Sequence, residues 1–122
     1  MLKKTHRIAS KRLISLLFKK GKIYKNRPFI FRFLPSVHNS SQFVVIVSKK
    51  VSSKAVQRNK VKRQISEGLR LHLNQFSPPI VALIVVKPAS VPYTYSEIEK
   101  GILEFLYYYQ HSTHVQHPPS QQ

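Results

Sequence analysis

Residues 80–86 read Ile-Val-Ala-Leu-Ile-Val-Val, seven apolar side chains without a break. Successive side chains of a strand point to opposite faces. A strand built from this run has no face to give to water, so the run marks a strand covered on both sides. Pro78-Pro79 precedes it and Pro88 follows it, which sets its ends. The chain has 122 residues, 42% of them hydrophobic. That suits one domain with one modest core and excludes a merely disordered basic tail.

The remaining elements follow from periodicity and capping. Ser10 can cap a helix over 11–20 that puts Leu13, Ile14, Leu17 and Phe18 on one face and ends at Gly21. Pro28 to Leu34 alternates, with Phe29, Phe31 and Phe33 on one side and Ile30, Arg32 and Leu34 on the other. Gln42 to Val47 is β-branched and apolar, a further strand. Ser52 or Ser53 can cap a helix over 54–74. At 100° per residue, Val61, Ile65, Gly68, Leu69 and His72 form its apolar face. Asn59, Lys62, Arg63, Ser66 and Arg70 form a polar, cationic one. Thr94 or Ser96 opens a last helix, with Glu97 or Glu99 as capping partner and Ile98, Ile102, Phe105, Leu106 and Tyr109 as its core positions. The order helix, strand or strands, strand, helix, strand, helix is an α+β layer: a single sheet with helices packed on it. Residues 1–109 read as one domain that begins with a mobile basic arm, 1–9. Residues 110–122 read as a disordered tail rich in His, Gln and Pro.

Charge is segregated along the chain. Of the 21 Lys and Arg residues, 18 lie in the first 63 positions, and the four acids come later, at Glu67, Glu97, Glu99 and Glu104. Residues 1–63 therefore carry +18 and residues 64–122 carry −1. Like charges on a small body oppose compaction unless a polyanion neutralises them, and nucleic acid is the commonest such partner. No apolar run approaches the ~18–20 residues of a membrane span. There is no Cys, which is compatible with a reducing compartment, and the location expected is cytoplasmic.

Several chemistries are excluded. The chain has no Asp and only scattered Glu, so it lacks the paired carboxylates with which a metal-dependent nuclease holds its cations. It has no phosphate-binding loop or Gly-rich fingerprint. His111, His114 and His117 are spaced by three, but no predicted element fixes them. No catalytic residue and no metal ligand is therefore assigned to this chain.

The most specific string is Lys54-Ala55-Val56-Gln57-Arg58-Asn59-Lys60-Val61-Lys62-Arg63, with five cations in ten residues, preceded by Val47-Ser48-Lys49-Lys50. A rigid helix with this pattern can meet several phosphates at once, and Asn59 adds a donor and an acceptor. The string resembles the signature of the bacterial ribonuclease P protein family, an Arg-Asn-Arg-type helix after a Ser-Lys-Lys strand end. The matches are Ser48-Lys49-Lys50, Ala55, Arg58-Asn59, Val61-Lys62-Arg63, Glu67 and Arg70. Phe18-Lys19-Lys20-Gly21-Lys22, Val85-Val86-Lys87-Pro88 and Tyr95 extend the resemblance over most of residues 5–109. Lys60 stands where the third Arg is usual, and Ser66 where an Arg commonly precedes Glu67.

The resemblance implies the order α-β-β-β-α-β-α, a mixed sheet and a left-handed βαβ crossover, an exception to the usual hand. It implies a subunit of a ribonucleoprotein endonuclease whose RNA, with Mg²⁺, removes the 5′ leader of precursor tRNA. The expected partners are ribonuclease P RNA, one protein to one RNA, and precursor tRNA. Self-association of the free protein is left open. The implied RNA-binding residues are Lys49, Lys50, Lys54, Arg58, Asn59, Lys60, Lys62, Arg63 and Arg70. The implied cleft for the single-stranded leader lies between the first helix and the sheet, with Phe18, Phe29, Phe31 and Arg32 as candidates. For the Phe residues, a place in the core is the competing reading. The competing function is a general RNA-binding module of ribosomal-protein or chaperone type. A protein-only ribonuclease is disfavoured by the missing carboxylates.

Overall fold

A computed structural model describes residues 2–116 of the chain, with side chains as far as Ser112. The elements are α1 (Lys11–Lys20), β1 (Lys22–Lys25), β2 (Phe29–Pro35), β3 (Gln42–Ile46), α2 (Ala55–Leu71), β4 (Ile80–Val86) and α3 (Tyr95–Gln116). The four strands form one mixed sheet in the order β1-β2-β4-β3. β4 runs antiparallel to β2 and parallel to β3, and α2 is the crossover between the parallel pair. The short strand β1, which periodicity does not single out, pairs with β2 at one edge.

The apolar run is the inner strand β4, and it is covered on both faces as expected. Ile80, Ala82, Ile84 and Val86 join the larger core with α2 and α3. Val81 and Leu83 join the smaller one with Leu17 of α1 and Ile8. Two helices on one face and one on the other make three layers.

Phe29, Phe31 and Phe33 point into the larger core. Phe31 stacks on Phe105 of α3 with ring centroids 4.0 Å apart, and Phe33 meets the same ring edge-on at 5.3 Å. The α3 positions Ile98, Ile102, Phe105, Leu106 and Tyr109 are all buried, as the helical spacing predicts. Gly101 lets α3 lie against β2: a Cβ there would stand 2.7 Å from both Phe29 Cε2 and Pro28 Cγ. Its carbonyl accepts from Asn26 Nδ2 (2.9 Å), whose Oδ1 in turn accepts from the Phe29 amide (3.1 Å). The turn between β1 and β2 is thereby fixed to α3.

Capping is local and largely as expected. Ser10 Oγ accepts from the Leu13 amide (3.2 Å). At α3, Thr94 Oγ1 accepts from the Glu97 amide (3.2 Å) and Glu97 Oε1 accepts from the Thr94 amide (2.9 Å), a reciprocal capping box. The bond from the Thr94 amide, with Arg27 at 3.4 Å and the Thr94 hydroxyl, holds the Glu97 carboxyl below the usual carboxylate range. α2 differs: its N-cap is Lys54, without a side-chain cap, and Ser52 Oγ instead accepts from the Lys54 amide.

Two terminal expectations are corrected. The N-terminal arm is docked, because Leu2 and Ile8 are buried and the chain runs along the outer edge of β3. The Ile8 amide donates to the Phe43 carbonyl (2.9 Å), and His6 Nδ1 donates to the Ser41 carbonyl (2.8 Å). This covers an otherwise open sheet edge. At the other end α3 continues to Gln116, past the expected stop near residue 110. Residues 117–122, including His117, lie outside the described residues.

Gly101→Ala should cost a net of about 1–2 kcal/mol. Overlap with the Phe29 ring outweighs the better helix propensity of Ala, and the midpoint of urea unfolding reads the balance. An unchanged or raised midpoint would mean that the ring moves aside freely. Tyr109 gives a pH signature. Burial pushes its pKa up to about 12, and its hydroxyl donates to the Pro78 carbonyl. Between pH about 10 and 12 the unfolded chain releases this proton and the folded chain keeps it, so stability falls across that window and not below it. Unfolding midpoints should drop more steeply there for the unaltered chain than for Tyr109→Phe, and parallel profiles would refute the assignment.

Candidate nucleic-acid interface

α2 has no acid in its first turn, so its N-terminal partial positive charge adds to its cations rather than being neutralised. Lys49, Lys50, Lys54, Asn59, Lys60, Lys62 and Arg63 are exposed on the helix and on the turn before it. That turn is tied down. The Val51 amide donates to the Ser48 carbonyl (3.0 Å), and Arg58 Nη1 donates to the Ser52 carbonyl (2.9 Å). Arg58 stands seven residues before Ile65, hence on the inward side of the helix, and is half-buried. It clamps the turn that carries Lys49 and Lys50.

Arg70 departs from the expected set. Its guanidinium is bidentate to Glu67, with Nε 3.1 Å from each carboxylate oxygen, and it holds the Glu67 carboxyl down to about 2. The pair has no net charge to offer an RNA. The outward stretch of α2 before it carries Lys60, Lys62 and Arg63 with no acid among them.

A second surface lies on the α1 side of the sheet. The register aligns Lys25 with Ile30, Ile30 with Val85, and Val85 with Ile46, so these four form one row across all the strands. Ile30, Val85 and Ile46 are half-buried and Lys25 is exposed. The neighbouring row contains Ile23, Arg32, Leu83 and Val44, and there Leu83 is fully covered. At the rim Phe18 is 46% exposed. Arg32 Nη1 donates to the Phe18 carbonyl (3.1 Å), and its guanidinium carbon lies 5.4 Å from the Phe18 ring centroid, a cation–π pair.

Of the four cleft candidates, the structure brings Phe18 and Arg32 together and removes the other two. Phe29 and Phe31 are 0% exposed beneath α3, so neither can stack on a base. Alternation separates the Phe face from the Ile30/Arg32/Leu34 face but does not say which of them receives α3. Ile30, Val85, Ile46, Ile23 and Lys25 were missed as lining residues. Only the strand register places them in two adjacent rows of one face.

The split between rim and core is measurable by stability alone. Phe31→Ala should cost about 3–5 kcal/mol, as for a fully packed aromatic, and Phe18→Ala no more than about 1 kcal/mol. Equal losses in denaturant unfolding would contradict the assignment.

A protein-family model for ribonuclease P matches residues 2–110. The chain is 32% identical to the ribonuclease P protein component of Finegoldia magna over 103 residues, which cover 82% of this chain and 87% of that protein. It is 29% identical to the ribonuclease P protein component of Lactobacillus delbrueckii subsp. bulgaricus over 106 residues, 86% and 88% of the two chains. The solved Staphylococcus aureus RNase P protein superposes with a TM-score of 0.75 at 25% identity, over 85% of this chain and 94% of that one. The Thermotoga maritima RNase P protein shares the fold, with a TM-score of 0.71 at 24% identity over 82% and 94% of the two chains. The reading as a general RNA-binding module gives way to these matches. On the family match over residues 2–110, the chain belongs to the ribonuclease P protein family.

Proposed function

We propose that this protein component of ribonuclease P binds the enzyme's RNA through α2 and the turn before it. We also propose that it holds the single-stranded 5′ leader of precursor tRNA on the open part of the sheet beside α1. The observation that carries the reading is the continuity of the two surfaces. β3 and β4 are parallel, so Ile46 and Val85 lie at the same end of the sheet, from which the chain passes directly into Ser48-Lys49-Lys50 and α2.

On α2, Lys54, Lys60, Lys62 and Arg63 neutralise phosphates, and Asn59 offers a hydrogen-bonding amide to sugar or phosphate. Arg58 holds the turn so that Lys49 and Lys50 face the same backbone. Beside α1, Phe18 and the half-covered Ile30, Val85 and Ile46 give unpaired bases an apolar seat, while Arg32 and Lys25 pair with the leader's phosphates. Stacking on an exposed aromatic does not demand a base sequence. Precursor is thereby held more tightly than the mature product, which has no leader. One protein serves one RNA, in the cytoplasm.

In this reading the cleavage chemistry belongs to the RNA with its Mg²⁺. The chain itself is a poor Mg²⁺ cage: among the described residues no three His, Asp or Glu side chains come together. Glu67 is engaged by Arg70, and Glu97 by Thr94 and Arg27. Reducing phosphate repulsion near the RNA active site lowers the Mg²⁺ concentration that the RNA needs.

The test is cleavage of precursor tRNA by a bacterial ribonuclease P RNA at low Mg²⁺, with and without this protein and with a protein-alone control. Stimulation that requires the RNA is expected. Binding should weaken ~10³–10⁵-fold between about 50 and 200 mM salt if roughly six to ten phosphates are met. Replacing Lys62 and Arg63 by Ala should lower the log–log salt slope by about 1.5–2 without affecting folding. A flat salt response, or cleavage by the protein alone, would overturn the reading.

A further inference from the structure

An open groove of about 410 Å³ lies between α2 and the first turn of α3, lined by Lys60, Arg63, Gln64, Glu67 and Tyr95. We propose that this groove seats one nucleotide of RNA, with its base stacked on Tyr95 and its phosphate held by Lys60 and Arg63. The proposal rests on the reading of α2 as the RNA face and adds to it an aromatic platform and a defined ligand unit.

Tyr95 is the first residue of α3, yet it is 38% exposed and lies outside the core. Two tyrosines packed against the core anchor their hydroxyls in the fold: Tyr93 donates to the Lys87 carbonyl (2.8 Å), and Tyr109 to the Pro78 carbonyl. The Tyr95 hydroxyl has no such partner among the described residues. The backbone around Tyr95 is nevertheless rigid, because the Thr94–Glu97 capping box brackets it. A half-exposed ring carried on fixed backbone suits base stacking.

The other walls supply the remaining parts of a nucleotide site. Lys60 and Arg63 are exposed cations one turn apart on the side of α2 that faces Tyr95. The Arg63 guanidinium can grip a phosphate with two parallel hydrogen bonds, and Lys60 adds a point charge. The acid in the groove, Glu67, is countered by Arg70, so the groove remains cationic. Gln64 offers both a donor and an acceptor, suited to a base edge or a ribose 2′-hydroxyl.

The experiment compares the full chain with Tyr95→Ala, Tyr95→Phe and Arg63→Ala in binding to ribonuclease P RNA over a range of salt. Thermal melts check that each variant is folded. Tyr95→Ala should bind about 5- to 150-fold more weakly with an unchanged salt slope, and Tyr95→Phe should bind within about twofold of the unaltered chain. Arg63→Ala should weaken binding and reduce the slope by about 1. Full affinity in Tyr95→Ala both without and with bound precursor tRNA, beside a loss in Arg63→Ala, would overturn the nucleotide site and leave the α2 reading intact. Full affinity in both would overturn that reading as well. A loss in Tyr95→Phe equal to that in Tyr95→Ala would assign the effect to the hydroxyl and overturn stacking. Repeating the titrations with precursor tRNA present separates the sources. A loss with ribonuclease P RNA alone assigns the nucleotide to that RNA, and a loss seen only with precursor bound assigns it to the substrate.

Discussion

Burial of β4 on both faces is the constraint on which the rest of the molecule depends. Its seven apolar residues require cover above and below. On one face the cover is generous: α2 and α3 bring Ile65, Leu69, Ile98, Ile102 and Phe105 against the three Phe residues of β2. On the other face it is α1 with Ile8 of the N-terminal arm. A ten-residue helix is about 15 Å long and about 10 Å wide, and the four strand axes alone span about 14 Å. Leu17 of α1 covers Val81 and Leu83, and the row through Lys25, Ile30, Val85 and Ile46 is left half open. The candidate leader cleft is thus a consequence of unequal cover on one sheet.

The electrostatic organisation follows the same division. The large core draws in the apolar faces of α2 and α3, which leaves the cations of α2 pointing outward. Glu97, Glu99 and Glu104 are all on α3, and none of them lines the groove that holds Lys60 and Arg63. Among the described residues, the ion pairs Arg70–Glu67 and Arg27–Glu97 temper the charge locally. Exposed pairs of this kind add little stability. They matter here by removing acids from competition with an RNA backbone. The unneutralised remainder costs the isolated fold some self-repulsion and is relieved when a polyanion binds, so affinity and stability are coupled.

Rigidity sits at the residues proposed to meet RNA. By sequence Arg58 belongs with the phosphate-binding cations, but its position on the inward side of α2 makes it the clamp of the turn that carries Lys49 and Lys50. The capping box does the same for Tyr95, and the bond to the Phe18 carbonyl does so for Arg32. Side chains presented from fixed backbone lose less freedom on binding than side chains on a loose loop.

The amino-acid sequence by itself determined the features that depend on neighbours a few residues apart. These are the two-sided strand Ile80–Val86, the apolar faces of α2 and α3, the caps at Ser10 and Thr94, and the acid-free cationic helix with its family signature. Each is a matter of side-chain period or of a hydrogen bond within one turn, and a chain carries that information locally. Tertiary structure alone decided which face of β2 would be core. Phe29/Phe31/Phe33 and Ile30/Arg32/Leu34 are equally good alternating sets until α3 settles on one of them. It also decided that residues 2–8 would dock on β3, that Arg58 would turn inward, and that Tyr95 would stand beside Lys60 and Arg63. These outcomes depend on the register of strands and the seating of helices far apart in sequence, and no short-range pattern specifies them.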